Sequence, residues 1–240
     1  MGTLAPELPA SSGENIGSDI AGIGNFLIDP AGAARRVHSK WFWVAPLILF
    51  SLVSIFASYV IMPMTRHVME VAPLPSGTTP EQYQKGMEMG LTIQRISMYF
   101  APVMAAIIFA IQAAVLLGAS AVMSVNAKFR QLFNLIAGCS IIQVLTALAS
   151  VFILKAKGEV STLAELRPAL GLDIFLPAGT NKFVVAILGY FSVFELWWIV
   201  MMVLIYSAAF RVTKGKAFAV IVPLVLLSII LRVAGAAFQR

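Results

Sequence analysis

The chain has 240 residues, of which 60% are hydrophobic and only 12% charged. A soluble domain carries about 25% charged and about 45–50% apolar residues, so a water-soluble fold of this length is excluded for want of polar surface. The net charge of +6, from 17 Lys+Arg against 11 Asp+Glu, falls in short clusters beside apolar blocks, which points to anionic lipid headgroups and away from nucleic acid.

Residues 1–19 are rich in Ser, Gly, Pro and acid and carry no basic-plus-apolar leader. They are expected to be disordered, and residues 1–25 to form a disordered or interfacial cytosolic tail ahead of a membrane domain over 26–240. Ile20, Ile23, Phe26 and Leu27 either form an apolar face lying on the membrane or belong to an ordinary juxtamembrane linker. Asp29 followed by Pro30 suits a helix start. That predicts a short basic helix over Ala31–Lys40, carrying Arg35, Arg36 and Lys40 into Trp41 and Trp43 at the headgroup level.

A helix needs about 20 apolar residues to cross the hydrocarbon core. Five stretches meet this: Phe42–Met62, Met98–Met123, Leu132–Leu154, Phe183–Phe210 and Ala217–Phe238. Between the first two, Thr79-Pro80-Glu81-Gln82 matches a capping box that opens a helix continuing into the second span, with Pro102 as a kink. In the second span, Ala106, Ala110, Ala114 and Gly118 line small residues along one face, suited to close packing in the bundle or to homodimerisation. Thr162 and Glu165 predict a further short helix before Pro168. Cys139, the lone cysteine, lies inside an apolar stretch and is expected to be a packing residue.

Orientation follows from the short loops. Lys128 and Arg130 stand without an acid between the second and third spans. So do Arg211, Lys214 and Lys216 between the last two, and Arg35, Arg36 and Lys40 before the first. The opposite side has longer loops of mixed charge. Density of basic residues and absence of acids mark the cytoplasm, giving an all-α, five-helix bundle with its N-terminus inside and C-terminus outside.

The main polar anomaly is Glu195, expected near the middle of the fourth span. A charge at a helix centre costs roughly 2.5–3.5 kcal/mol on insertion scales, so it should be paired, interior or protonated. Arg232 in the fifth span stands about 15 residues from the intervening turn, as Glu195 does, roughly 22 Å along each helix. A buried Glu195–Arg232 pair is therefore expected, either locking two helices or forming part of an ion path. Enzyme signatures are missing: no P-loop, H-E-x-x-H or G-x-S-x-G occurs. His38 and His67 flank the first span on opposite faces and cannot share a metal. No cofactor or metal is expected.

Asp29-Pro30, Trp43-x-x-Pro46, Phe129-Arg130-Gln131-Leu132-Phe133, Phe194-Glu195-Leu196-Trp197 and Thr213-Lys214-Gly215-Lys216-Ala217 follow one another along the chain. Their order and spacing resemble the Yip domain of the Ypt/Rab-interacting membrane proteins, in its bacterial form, over about residues 26–233. The resemblance implies a five-helix bundle with a cytosolic N-terminus; with the missing enzyme signatures, the expected role is non-enzymatic, as a scaffold or a membrane-organising or trafficking-type partner-binding protein. Its partners would be lipid, other membrane proteins or a second copy, in the bacterial cytoplasmic membrane. Eukaryotic relatives bind Rab GTPases through a D-L-Y-G-P region. Here only Ile28-Asp29-Pro30 stands near that place, so Rab binding does not carry over. A small transporter or channel using Glu195 and Arg232 is the alternative.

Overall fold

The computed structural model describes residues 16–237 apart from 75, 76, 163, 164, 167 and 178. The disordered tail expected over 1–19 falls mostly outside the described residues. Among those described, the chain is helical, with a single isolated bridge between Gly171 and Ser192.

Inside lipid every backbone amide must be satisfied by protein, which makes helices of the long apolar stretches. Five helices are long and apolar enough to cross: α3 (Val44–Val71), α5 (Ala101–Val122), α6 (Phe129–Lys157), α8 (Val193–Phe210) and α9 (Lys214–Ala237). Preceding them are α1 (Ile16–Ile28) and α2 (Pro30–Val37); α4 (Pro80–Tyr99) and α7 (Lys182–Leu188) complete the set. The Asp29 carboxylate accepts from the Gly32 N–H at 3.0 Å, so α2 begins where the sequence places a cap.

α3 runs past the expected end at Met62, through Pro63, to Val71. Its last turns are stabilised by a pair four residues apart, Arg66 to Glu70 at 2.8 Å. The Thr79 capping box forms, with Gln82 reaching back to the Thr79 N–H at 3.2 Å. α4 buries none of its side chains, is tied to α3 by the Tyr83 hydroxyl donating to the Met69 carbonyl at 2.7 Å, and is separated by Phe100 from α5, which carries Pro102 in its first turn. Around Thr162 and Glu165 the described residues form a capped turn and no helix. There the Lys157 ammonium, together with the Ser161 N–H, holds the exposed Glu165 carboxyl below the usual carboxylate range.

α6 is central, packed against α3, α5 and α8 and against the N-terminal helices. The face α5 turns inward is Ala105, Phe109, Ala113, Leu116 and Ser120, one register position away from the small-residue stripe. Ala114 and Gly118 of that stripe are exposed, so the expectation that it packs within the bundle is corrected there. The bulky Phe109 and Leu116 reach the core, where Phe109 meets the rings of Phe50 and Phe133. α5 and α8 are joined by a buried Ser120–Tyr206 hydroxyl pair at 2.7 Å.

The N-terminal segment neither lies on the membrane nor acts as a linker. α1 and α2 form an antiparallel hairpin folded into the bundle, with Ile23, Phe26 and Val37 in the same core as the spans. The Trp197 indole donates to the Leu27 carbonyl at 3.1 Å near one end of α8, while His38 meets Ala209 at the other, so α2 runs alongside α8. The Phe26 ring stacks on Phe42 with centroids 5.1 Å apart and occupies the space a Cβ would need at Gly138. This close approach makes Gly138 a glycine for reasons of packing. Phe26→Ala is expected to destabilise the protein by about 2–4 kcal/mol, toward the low side of the range for such truncations because a lipid surrounding weakens the transfer contribution. Gly138→Val should have a comparable effect; unfolding in nanodiscs, followed by tryptophan fluorescence, measures both.

Candidate functional site

Two polar regions stand out, one at each end of the bundle. At the end opposite the short basic loops, the fourth span is not one helix. α7 stops at Leu188, the chain runs irregularly through Gly189–Ser192, and α8 begins at Val193. The Ser192 hydroxyl accepts from the Glu195 N–H at 3.1 Å and so caps α8. α8 alone, at 18 residues, spans about 27 Å, a little short of the roughly 30 Å hydrocarbon core.

This changes the place of Glu195. It occupies the first turn of α8, not the middle of a span, where the positive end of the helix favours a carboxylate. The pattern Ser192-x-x-Glu195 is a helix-start signature, and it was the available sign of the break. An unbroken apolar run over Phe183–Phe210 concealed it.

The break is held from two sides. Arg232 donates to the Gly189 carbonyl at 2.7 Å, and its guanidinium lies over the Tyr190 ring at 5.5 Å. The segment after α6 folds back, so that Gly171 bridges Ser192 and packs directly against the carbonyls of Leu188 and Gly189; a Cβ at Gly171 would lie 2.8 Å from the Gly189 oxygen. The Asp173 carboxylate accepts from the Gly171 N–H at 3.1 Å.

Glu195 and Arg232 are thus brought to one region but not into contact. The Glu195 carboxylate accepts from the Gln143 amide of α6 at 3.4 Å to each oxygen, while Arg232, on the exposed side of α9, is committed to Gly189. The expected buried ion pair is corrected accordingly. Ending α7 leaves a carbonyl unpaired within the helix, and that carbonyl draws the guanidinium. Glu195, Arg232, Lys182 and Asp173 all line a cavity of about 800 Å³ between α6, α7, α9 and the folded-back segment.

At the other end, His38 joins three elements. Its Nδ1 accepts from the Gln131 amide of α6 at 2.8 Å, and its Nε2 donates to the Ala209 carbonyl of α8 at 3.1 Å. The buried Asn134 amide donates to the carbonyls of Val37 and Ser39, at 3.0 and 2.7 Å, and accepts from the Trp43 N–H at 3.2 Å. Asn134 escaped notice in the sequence because a lone amide in an apolar helix carries no motif. Together these bonds fix the turn between α2 and α3 against the start of α6. The result gathers Arg35, Arg36 and Lys40, Lys128 and Arg130, and Arg211, Lys214 and Lys216 at the same end of the bundle. Arg35, Lys40, Lys128, Arg130, Arg211 and Lys214 are exposed. Arg211 takes a left-handed conformation, φ 52°, to close the turn after α8.

His67 is exposed far along α3, away from His38, and among the described residues no group of His, Cys, Asp and Glu could hold a metal. Cys139 is buried in the core.

A family model described as the Yip1 domain matches residues 24–235. No curated protein and no solved structure matches the chain.

Because Arg232 bonds a backbone carbonyl and not Glu195, exchanging the two charges should not rescue either single reversal. Arg232→Gln should cost about 1–2 kcal/mol through loss of a charged hydrogen bond, whereas Glu195→Gln should leave the melting temperature nearly unchanged. Thermal unfolding of the purified variants checks both.

Proposed function

Since the chain belongs to the Yip1 domain family, we propose that it is a non-enzymatic, multi-pass protein of the bacterial cytoplasmic membrane that organises lipid or protein partners at its basic face. Members of the family are generally not enzymes. The observation that carries this reading is the His38 junction, which holds α2 and the ends of α6 and α8 together. Basic residues from separate loops thereby stand at one end of the bundle, which supports this reading. A surface of this kind attracts anionic headgroups by about 1 kcal/mol per basic residue near the membrane. Its other partners would be membrane proteins or a second copy. In this orientation the basic face is cytosolic and the C-terminus outside.

Replacing Arg35, Lys128, Arg130 and Lys214 by Gln is the test. The variant should retain less than half of the phosphatidylglycerol that co-purifies with the wild type, and should lose its crosslinked partners in native membranes. Unchanged lipid and unchanged crosslinks would count against the reading.

A second reading is favoured by a specific feature, the discontinuous fourth span beside a polar cavity. Broken helices whose half-helix ends face a cavity are how transporters expose backbone to a substrate. A small transporter or channel would use Glu195 and Arg232 at the break. Substrate flux in proteoliposomes, abolished by Glu195→Gln, would establish it; its absence with a broad amine and ion panel would leave the organising role.

A further inference from the structure

A smaller cavity, of about 220 Å³, adjoins the first and shares Glu195 and Gln143 with it. Its lining differs in kind. Among the described residues, Glu195 is the one charged side chain on its walls, whereas Arg232 and Lys182 line the larger cavity alone. The rings of Phe50, Phe109, Trp198 and Tyr190 also line it. Phe50 and Phe109 form a tilted pair with centroids 5.4 Å apart, which gives one side of the cavity a continuous aromatic wall.

Two polar groups in this cavity are unused. The Tyr190 hydroxyl is buried, at 2% exposure, and makes no hydrogen bond; Ser228 comes near it without completing one. Gln112, half-buried on α5, also lines the space. An orphaned buried hydroxyl is costly, about 1–3 kcal/mol, unless something in the cavity satisfies it. The Glu195 carboxylate has only the two long bonds from Gln143, at 3.4 Å, and so has capacity to accept more.

We propose that this cavity binds a primary alkylammonium group, with Glu195 as counter-charge, the Tyr190 hydroxyl and Gln112 carbonyl as further acceptors, and the aromatic rings as walls. An ammonium has three N–H donors and no acceptor, which is the complement of a carboxylate, a hydroxyl oxygen and an amide oxygen. Aromatic faces add attraction for a cation that has left water. An anion is disfavoured because, among the described residues, the charge lining this space is negative, while Arg232, over the Tyr190 ring, is committed to the Gly189 carbonyl. The alkyl part lies toward Ile108, whose side chain faces out of the bundle at 47% exposure, so the cavity has an apolar side toward the bilayer. A free amine and the ethanolamine headgroup of a phospholipid present the same ammonium.

The proposal shares Glu195 with the transport reading, which uses the larger adjoining cavity, but binding at equilibrium needs no gradient and can succeed where flux fails. The probe is butylammonium chloride, titrated into the full chain in phosphatidylglycerol nanodiscs and followed by saturation-transfer NMR, with 1-butanol and butyltrimethylammonium as comparisons. Saturable binding is expected, at least fivefold tighter than for either comparison. Glu195→Gln should weaken it about tenfold or more, by loss of the charge-assisted bond. Tyr190→Phe keeps the ring and the fold, and should weaken it about fivefold. If the natural occupant is the lipid headgroup, phosphatidylethanolamine nanodiscs will lower the apparent affinity for butylammonium; if it is a free amine, they will leave it unchanged. No saturable binding in phosphatidylglycerol, equal binding of 1-butanol, or full binding by a folded Tyr190→Phe and Glu195→Gln pair would overturn the assignment.

Discussion

A peptide carbonyl facing hydrocarbon must find a donor from the protein itself, because no water is there to supply one. Four of the five spans run as unbroken helices, although Pro63 in α3 and Pro223 in α9 each withdraw one N–H donor. The fourth span meets the requirement only with help from elsewhere, since α7 ends at Leu188 and α8 does not begin until Val193. The Gly189 carbonyl left by that interruption takes its hydrogen bond from Arg232, 43 residues further on. Gly171 approaches the same carbonyls from the folded-back segment, which only a residue without a side chain could do. The bond from Arg232 therefore ties α9 to the break, and Gly171 fits the outer segment around it.

The polar character of this end of the bundle follows from the interruption. A helix that starts at Val193 puts Glu195 in its first turn, where the helix dipole favours the carboxylate and Gln143 can reach it. Had the span been continuous, Glu195 would have stood in mid-helix and needed a countercharge. With Arg232 occupied by Gly189, the carboxylate instead faces two adjoining cavities of opposite character, one mixed in charge and one aromatic. One backbone break thus accounts for where the charges go and for the space between them.

At the basic end the same economy of hydrogen bonds acts through side-chain amides. Asn134 satisfies two carbonyls and one N–H of the turn between α2 and α3, and Gln131 orients the ring of His38. Each is a polar group within or beside a membrane helix, placed where irregular backbone would otherwise be unsatisfied. The hairpin of α1 and α2 can enter the bundle because Gly138 yields its side-chain volume to Phe26. The family match over residues 24–235 takes in the end of α1 and all of α2 together with the spans.

The amino-acid sequence by itself determined the five membrane helices, the caps at Asp29 and Thr79, and the pairing of basic loops at one end. These depend on local quantities: an apolar run long enough to cross, a side chain three residues from the N–H it accepts, a count of lysines and arginines. Tertiary structure alone decided where the fourth span breaks, which carbonyl Arg232 serves, and that Ile23 and Phe26 lie inside the bundle. Hydropathy is blind to these because Phe183–Phe210 and the N-terminal apolar residues are equally greasy in either arrangement. What selects one is the partner brought from far along the chain: Gly171 and Arg232 for the break, Gly138 and Trp197 for the hairpin.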